Sequence, residues 1–73
     1  MDQPEDALAQ SERHVREAEG HIAHQLRIIE ELDRDDHPRA AAMAREVLRT
    51  LQRSLELARE HLRLEQEARD HGP

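Results

Sequence analysis

Apolar residues recur at alternating three- and four-residue intervals along two segments of equal length, separated by the polar run Asp35-Asp36-His37-Pro38. That spacing keeps them on one side of an α-helix and repeats as a heptad. With heptad letters a to g, the a and d positions of the first segment are Leu8, Ser11, Val15, Ala18, Ile22, Gln25, Ile29 and Leu32. On the second they are Ala41, Ala44, Leu48, Leu51, Leu55, Ala58, Leu62 and Glu65. Folding the second segment back so that every a faces a d pairs residues whose numbers sum to 73: Val15 with Ala58, Ala18 with Leu55, Ile22 with Leu51, Ile29 with Ala44, Leu32 with Ala41. The centre of this register falls between Asp36 and His37, where the turn-forming residues also sit. Two independent signals thus predict an all-α fold, a single antiparallel two-helix hairpin over residues 1–73. Val15, Ile22, Ile29, Leu48, Leu51, Leu55 and Leu62 are expected to carry its seam.

The boundaries follow from capping chemistry. Pro4 suits a first helical turn, with Asp2 or Gln3 as cap and Glu5 and Asp6 facing the positive end of the helix dipole. The first helix is predicted over about 4–33 and the turn over 34–37. Pro38 opposes helical dihedrals in the residue before it but fits the start of a new helix, predicted over about 38–68 with a frayed tail at 69–73. Ser11 and Gln25 weaken the seam, and Gly20 costs roughly 1 kcal/mol relative to alanine. Gly20 falls at f, away from the seam, which reads as a solvent-side glycine or as a place where a partner's backbone comes close. In an antiparallel pair e flanks e, so Glu12 is expected beside Arg59 and Leu26 beside the stem of Arg45. Such exposed pairs contribute about 0 to 1 kcal/mol each and act mainly against slipped registers.

The second helix carries more apolar surface than one neighbour can cover. Met43, Val47, Leu57 and Leu64 lie on its c/g side, with Thr50, Ser54 and His61 between them. Contiguous exposed apolar patches mark interfaces. The economical arrangement is a homodimer in which the second helix of each copy packs on the other, giving a two-fold four-helix bundle. The same face docking a different protein is the competing expectation.

Composition sharpens this picture. A chain of 73 residues builds one small domain, and a domain of this size is marginal without staples or association. There is no Cys, which removes disulfides, thiolate metal sites and thiol nucleophiles, and no Phe, Trp or Tyr to enlarge a core. The net charge of −6 opposes general nucleic-acid binding. No apolar run approaches the roughly 18 residues of a membrane span. Met1 to Glu5 lacks the basic and apolar regions of a signal peptide, so a cytoplasmic protein is expected.

Six histidines are many for this length. His14, Glu17, His21 and His24 share the g/c strip of the first helix, and the register sets His61 opposite His14. His14, Glu17 and His61, or His21 and His24 with a residue of a dimer mate, offer imidazole and carboxylate ligands to zinc or a similar metal. A metal-responsive bundle is therefore the second functional reading, although no Glu-x-x-His pair of the di-iron type and no Cys-x-x-Cys-His haem motif occurs. Structural polar residues at a bundle boundary are the simpler account, and no cofactor is expected. Charging of histidines gathered at an interface, with repulsion on acidification, is a further expectation. Catalysis has little support. Ser11 and Ser54 lack an oxyanion hole or glycine elbow, and the register brings Ser54 near His21 without a pocket. An enzyme is not expected. A third reading is a Rop-like RNA-binding hairpin dimer, with Arg45, Arg49, Arg59 and Arg63 tracking phosphates. Glu56 and Glu60 interrupt that row, and no aromatic side chain is available for stacking.

The runs Glu12-Arg13-His14-Val15, Gly20-His21-Ile22-Ala23-His24-Gln25 and Ile28-Ile29-Glu30-Glu31-Leu32, followed by Ala44-Arg45-Glu46-Val47-Leu48-Arg49-Thr50-Leu51 and Leu55, resemble a group of short alphaproteobacterial proteins without a characterised activity. Those look like an Arg-rich ERHV…HIARQ…II.ELE helix, a brief Asp/Gly/His turn and an A..LL.TL…L helix. The similarity covers roughly residues 11 to 63 and implies a bacterial origin and a helical hairpin. It carries over no catalytic or binding residue, and Asp-Asp-His-Pro stands where that turn has a glycine. The combined expectation is a non-enzymatic, self-associating hairpin used for protein–protein interaction or regulation.

Overall fold

A computed structural model describes residues 6–70. Two α-helices, α1 (Ala7–Arg34) and α2 (Pro38–Asp70), lie antiparallel and packed against each other. The hairpin read from the periodicity is the fold of the described residues.

Helix α1 starts later than expected. Asp6 is extended (φ −76°, ψ 172°), and its carboxylate accepts from the Ala9 amide at 2.7 Å. Its carbonyl accepts the first helical bond, from Gln10 at 3.0 Å. A short carboxylate in that conformation reaches the third amide of the helix, so Asp6 is the cap in place of Asp2 or Gln3. Asp2, Gln3 and Pro4 lie outside the described residues. At the other end α2 runs to Asp70, through the first two residues of the expected tail; residues 71–73 lie outside the description.

The turn is a Schellman closure built without glycine. The His37 amide donates to Leu32 O at 2.9 Å and the Asp36 amide to Asp33 O at 3.3 Å, satisfying carbonyls left open at the end of α1. This wrap requires the residue after the cap to be left-handed, and Asp36 has φ 58°. An aspartate tolerates that region better than most residues but still pays for its Cβ, at about 1–2 kcal/mol for an L-residue. Asp36→Gly is therefore expected to stabilise the hairpin by about 1 kcal/mol. Thermal unfolding followed by circular dichroism should show a higher midpoint; a fall would mean that the carboxylate contributes more than the strain removes. On the far side of the turn His37 O accepts from Ala41 N at 2.9 Å, which opens α2 with Pro38 in its first turn.

The buried apolar residues lie in the half of the seam beside this turn. Ile29, Ala41 and Ala44 are buried, with Ala41 completely enclosed, because two small side chains on α2 let the helices approach closely. Farther along the seam Val15, Ile22, Leu48, Leu51, Leu55 and Leu62 are half-buried, since a pair of helices leaves both flanks of each seam residue open. The polar seam residues are satisfied. Buried Ser11 donates its hydroxyl to Ala7 O at 2.9 Å, and Gln25 Nε2 crosses to Ala44 O at 2.9 Å. Among the described residues no buried side-chain nitrogen or oxygen lacks a partner. A Cβ built on Gly20 would meet nothing within 4 Å, so within one chain that glycine serves no close approach.

The product is a plate one helix thick. It measures 57 × 29 × 12 Å, and its radius of gyration is 16.6 Å where a compact chain of this length has about 11 Å.

Candidate functional site: the unpartnered face of α2

The plate has two broad faces, and the chain treats them differently. On one, the e residues of the two helices meet. Arg59 Nη2 donates to Glu19 Oε2 at 3.3 Å, and Arg45 Nη2 donates to Asp33 Oδ2. These pairs replace the expected Glu12–Arg59 and Leu26–Arg45 neighbours by one heptad. The reason is side-chain direction: Cα–Cβ bonds lean toward the N-terminus of their own helix. In antiparallel helices the leanings are opposed, so Arg45 and Asp33 converge while Arg45 and Leu26 point apart. Leu26 is left about half exposed, at 49%, which equal-level pairing of e positions did not anticipate. Counting the lean into the register would have found it. A shallow groove between Ile22, Gln52, Leu55, Glu56 and Arg59 opens on the same face.

The opposite face carries the c/g stripe. Met43 is 69% exposed, Leu57 64%, and Val47 and Leu64 49% each. Thr50, Ser54 and His61, which fill the stripe between them, are exposed as well. Along the α1 border of this face lie the exposed residues Gln10, His14, Glu17, His21 and His24, with half-buried Ile28. The ion pairs between helices lie elsewhere, on the e side and at the open end, where Arg69 Nη1 sits 3.7 Å from Asp6 Oδ2. An apolar strip some 20 residues long, edged by polar and imidazole side chains, thus lies exposed, with none of the other described residues covering it.

The histidines do not gather within one chain. Among the described residues no three of His, Asp or Glu converge on a point where a metal ion would sit. Glu17 accepts from Arg13 Nη1 at 2.9 Å, and His61 Nε2 lies 3.7 Å from Glu65 Oε1 on its own helix instead of meeting His14. Ser54 and His21 are both exposed, and no hydrogen bond joins them.

The arginine row is largely occupied. Arg45 and Arg59 bind carboxylates of α1, and Arg63 donates to both Glu60 and Glu67 on its own helix. The hydrogen bond from Arg63 holds the Glu60 carboxyl below its ordinary range, and the same bond raises Arg63 above its own. Of the four arginines in that row, Arg49 is the one without a carboxylate partner among the described residues. A cation already held by a carboxylate must break that pair to bind a phosphate, which disfavours the nucleic-acid reading.

Among the described residues no helix is long and apolar enough to cross a membrane. Comparison with known proteins returned no matching family model, no matching curated protein and no matching solved structure. The face has to be understood from its own chemistry.

Proposed function

We propose that the chain is a non-enzymatic, self-associating module. Two hairpins pair through α2 into a homodimeric four-helix bundle that serves protein–protein interaction or regulation. The exposed stripe on a one-layer plate is the observation that carries this reading. Stable domains bury one layer of secondary structure against another, and a lone hairpin has no second layer. Its accessible surface is 6055 Å², about 1,400 Å² more than the roughly 4,650 Å² of a compact protein of 8.5 kDa. A standard interface covers about 800 Å² on each partner, so one copy of the same plate would cover more than half of that excess.

A second copy also suits the pattern. Met43 and Val47 occupy one end of the stripe, Leu57 and Leu64 the other, and small polar Thr50 and Ser54 the middle. A patch of this kind is complementary to itself about its own centre, as a two-fold interface requires. The histidine and glutamate border then forms the polar rim typical of interfaces. Sedimentation equilibrium on the untagged chain should give a mass near twice 8.5 kDa. A folded, strongly helical species of 8.5 kDa at micromolar concentration would overturn the reading, and with it the case for a second copy over a different partner.

A further inference from the structure

We propose that pairing of two copies assembles a tetrahedral site for zinc or a similar divalent ion from His21 and His24 of each copy. This rests on the homodimer reading, and the argument starts from its symmetry. Two flat hairpins stack face to face into a compact bundle when the two-fold axis runs across the helices. That axis sets α2 antiparallel to its copy and α1 antiparallel to its copy. An axis along the helices would instead set each α2 over the α1 of the other copy, so that the two apolar stripes would not face each other.

The level of the axis follows from the stripe. Self-matching of Met43 through Leu64 requires the axis to cross α2 at its middle, beside Arg53 and Ser54. Ile22 shares one groove with Gln52 and Leu55, and Leu8 shares another with Glu65. By the seam register, whose pairs sum to 73, the middle of the stripe is level with Glu19 and Gly20 on α1. The axis thus passes just N-terminal of His21, and the His21 side chains of the two copies lie within one helical turn of each other.

Side-chain lean then selects the remaining ligands. Residues just C-terminal of the axis lean back toward it from both copies, the geometry already seen in Arg45–Asp33 and Arg59–Glu19. His24 lies on that side. Glu17 lies on the other and leans away, toward the Arg13 it contacts. His21 and His24 are three residues apart, with Cβ atoms about 5–6 Å from each other on one helix face. Both are exposed and, among the described residues, unencumbered by ion pairs, so each copy presents two imidazoles, and the described residues of one copy bring no three ligands together. Four neutral imidazoles without thiolate or carboxylate suit zinc, and copper or nickel by the same donor chemistry. Because the site exists only in the dimer, the ion would strengthen association by mass action.

The test is titration of the untagged, chelator-treated chain with zinc chloride, read by calorimetry and by sedimentation. The expected result is one zinc per two chains and a tighter dimer. Cobalt(II) in its place should give the intense visible absorption of tetrahedral coordination. His21→Ala and His24→Ala should each abolish stoichiometric uptake while leaving helicity intact, and His14→Ala and His61→Ala should retain it. A wild-type dimer that takes up no zinc would overturn the metal site and leave the dimer standing. So would uptake lost equally in His14→Ala, or one zinc bound per monomer. A wild-type monomer would overturn both.

Discussion

Replacing Leu57 and Leu64 together by glutamate is expected to convert the protein into monomers or unfolded chains. Leu57 is 64% exposed and Leu64 49% within a single hairpin, and neither belongs to the seam, so the substitutions remove little of the contact between α1 and α2. Glutamate also has nearly the helix propensity of leucine, which leaves α2 itself little changed. The loss falls on what covers these residues in the assembly. Burying a leucine is worth roughly 1.5–3 kcal/mol, and a two-fold interface loses each one twice. The four sites together amount to about 6–12 kcal/mol before any charge repulsion, and each 1.4 kcal/mol is a tenfold change in the dissociation constant. Sedimentation of the double variant at concentrations where the wild type is dimeric measures this directly. Gln66→Glu, on the e flank, adds a charge away from the stripe and should leave the dimer intact. An unchanged dimer in the double variant would remove Leu57 and Leu64 from the interface.

Ile29→Ala is expected to produce the largest loss of stability within the hairpin. Ile29 is the one buried apolar side chain larger than alanine among the described residues, and it pairs across the seam with the alanine-lined stretch of α2. Truncating a buried isoleucine costs about 2–5 kcal/mol, the spread reflecting how far the surroundings collapse into the cavity. Here collapse is limited, because Ala41 and Ala44 already hold the helices close and cannot move in further. Domains are stable by only about 5–15 kcal/mol, and a chain of this size falls at the low end. The variant should lose most of its cooperative thermal transition by circular dichroism. Leu32→Ala, at a half-buried position, should lose less. Equal loss at both positions would show that burial is spread evenly along the seam instead of being concentrated at Ile29.

Much of this protein was legible residue by residue. The heptad stripes from Leu8 to Leu32 and from Ala41 to Leu62 required two helices packed against each other, and that is the fold of the described residues. The surplus of Met43, Val47, Leu57 and Leu64 marked a face that the hairpin cannot cover, and all four are exposed. The polar contacts were less legible. Letter-by-letter pairing placed Arg59 beside Glu12 and His61 beside His14, whereas Arg59 reaches Glu19 and His61 lies near Glu65. Long side chains cross an axial distance that heptad letters do not encode. The cap at Asp6 is likewise not singled out by composition, since more than one short polar side chain precedes the first apolar position and only the extended backbone at Asp6 identifies it.

The hairpin, its seam and its uncovered stripe were determined by the sequence alone, because a repeat of three and four residues and a polar break are local properties of the chain. Tertiary structure alone decided the left-handed Asp36, the full burial of Ser11, Ile29, Ala41 and Ala44, and the choice of carboxylate for each arginine. Those depend on how closely two backbones approach and which way each side chain leans. Neither quantity exists until both helices are in place.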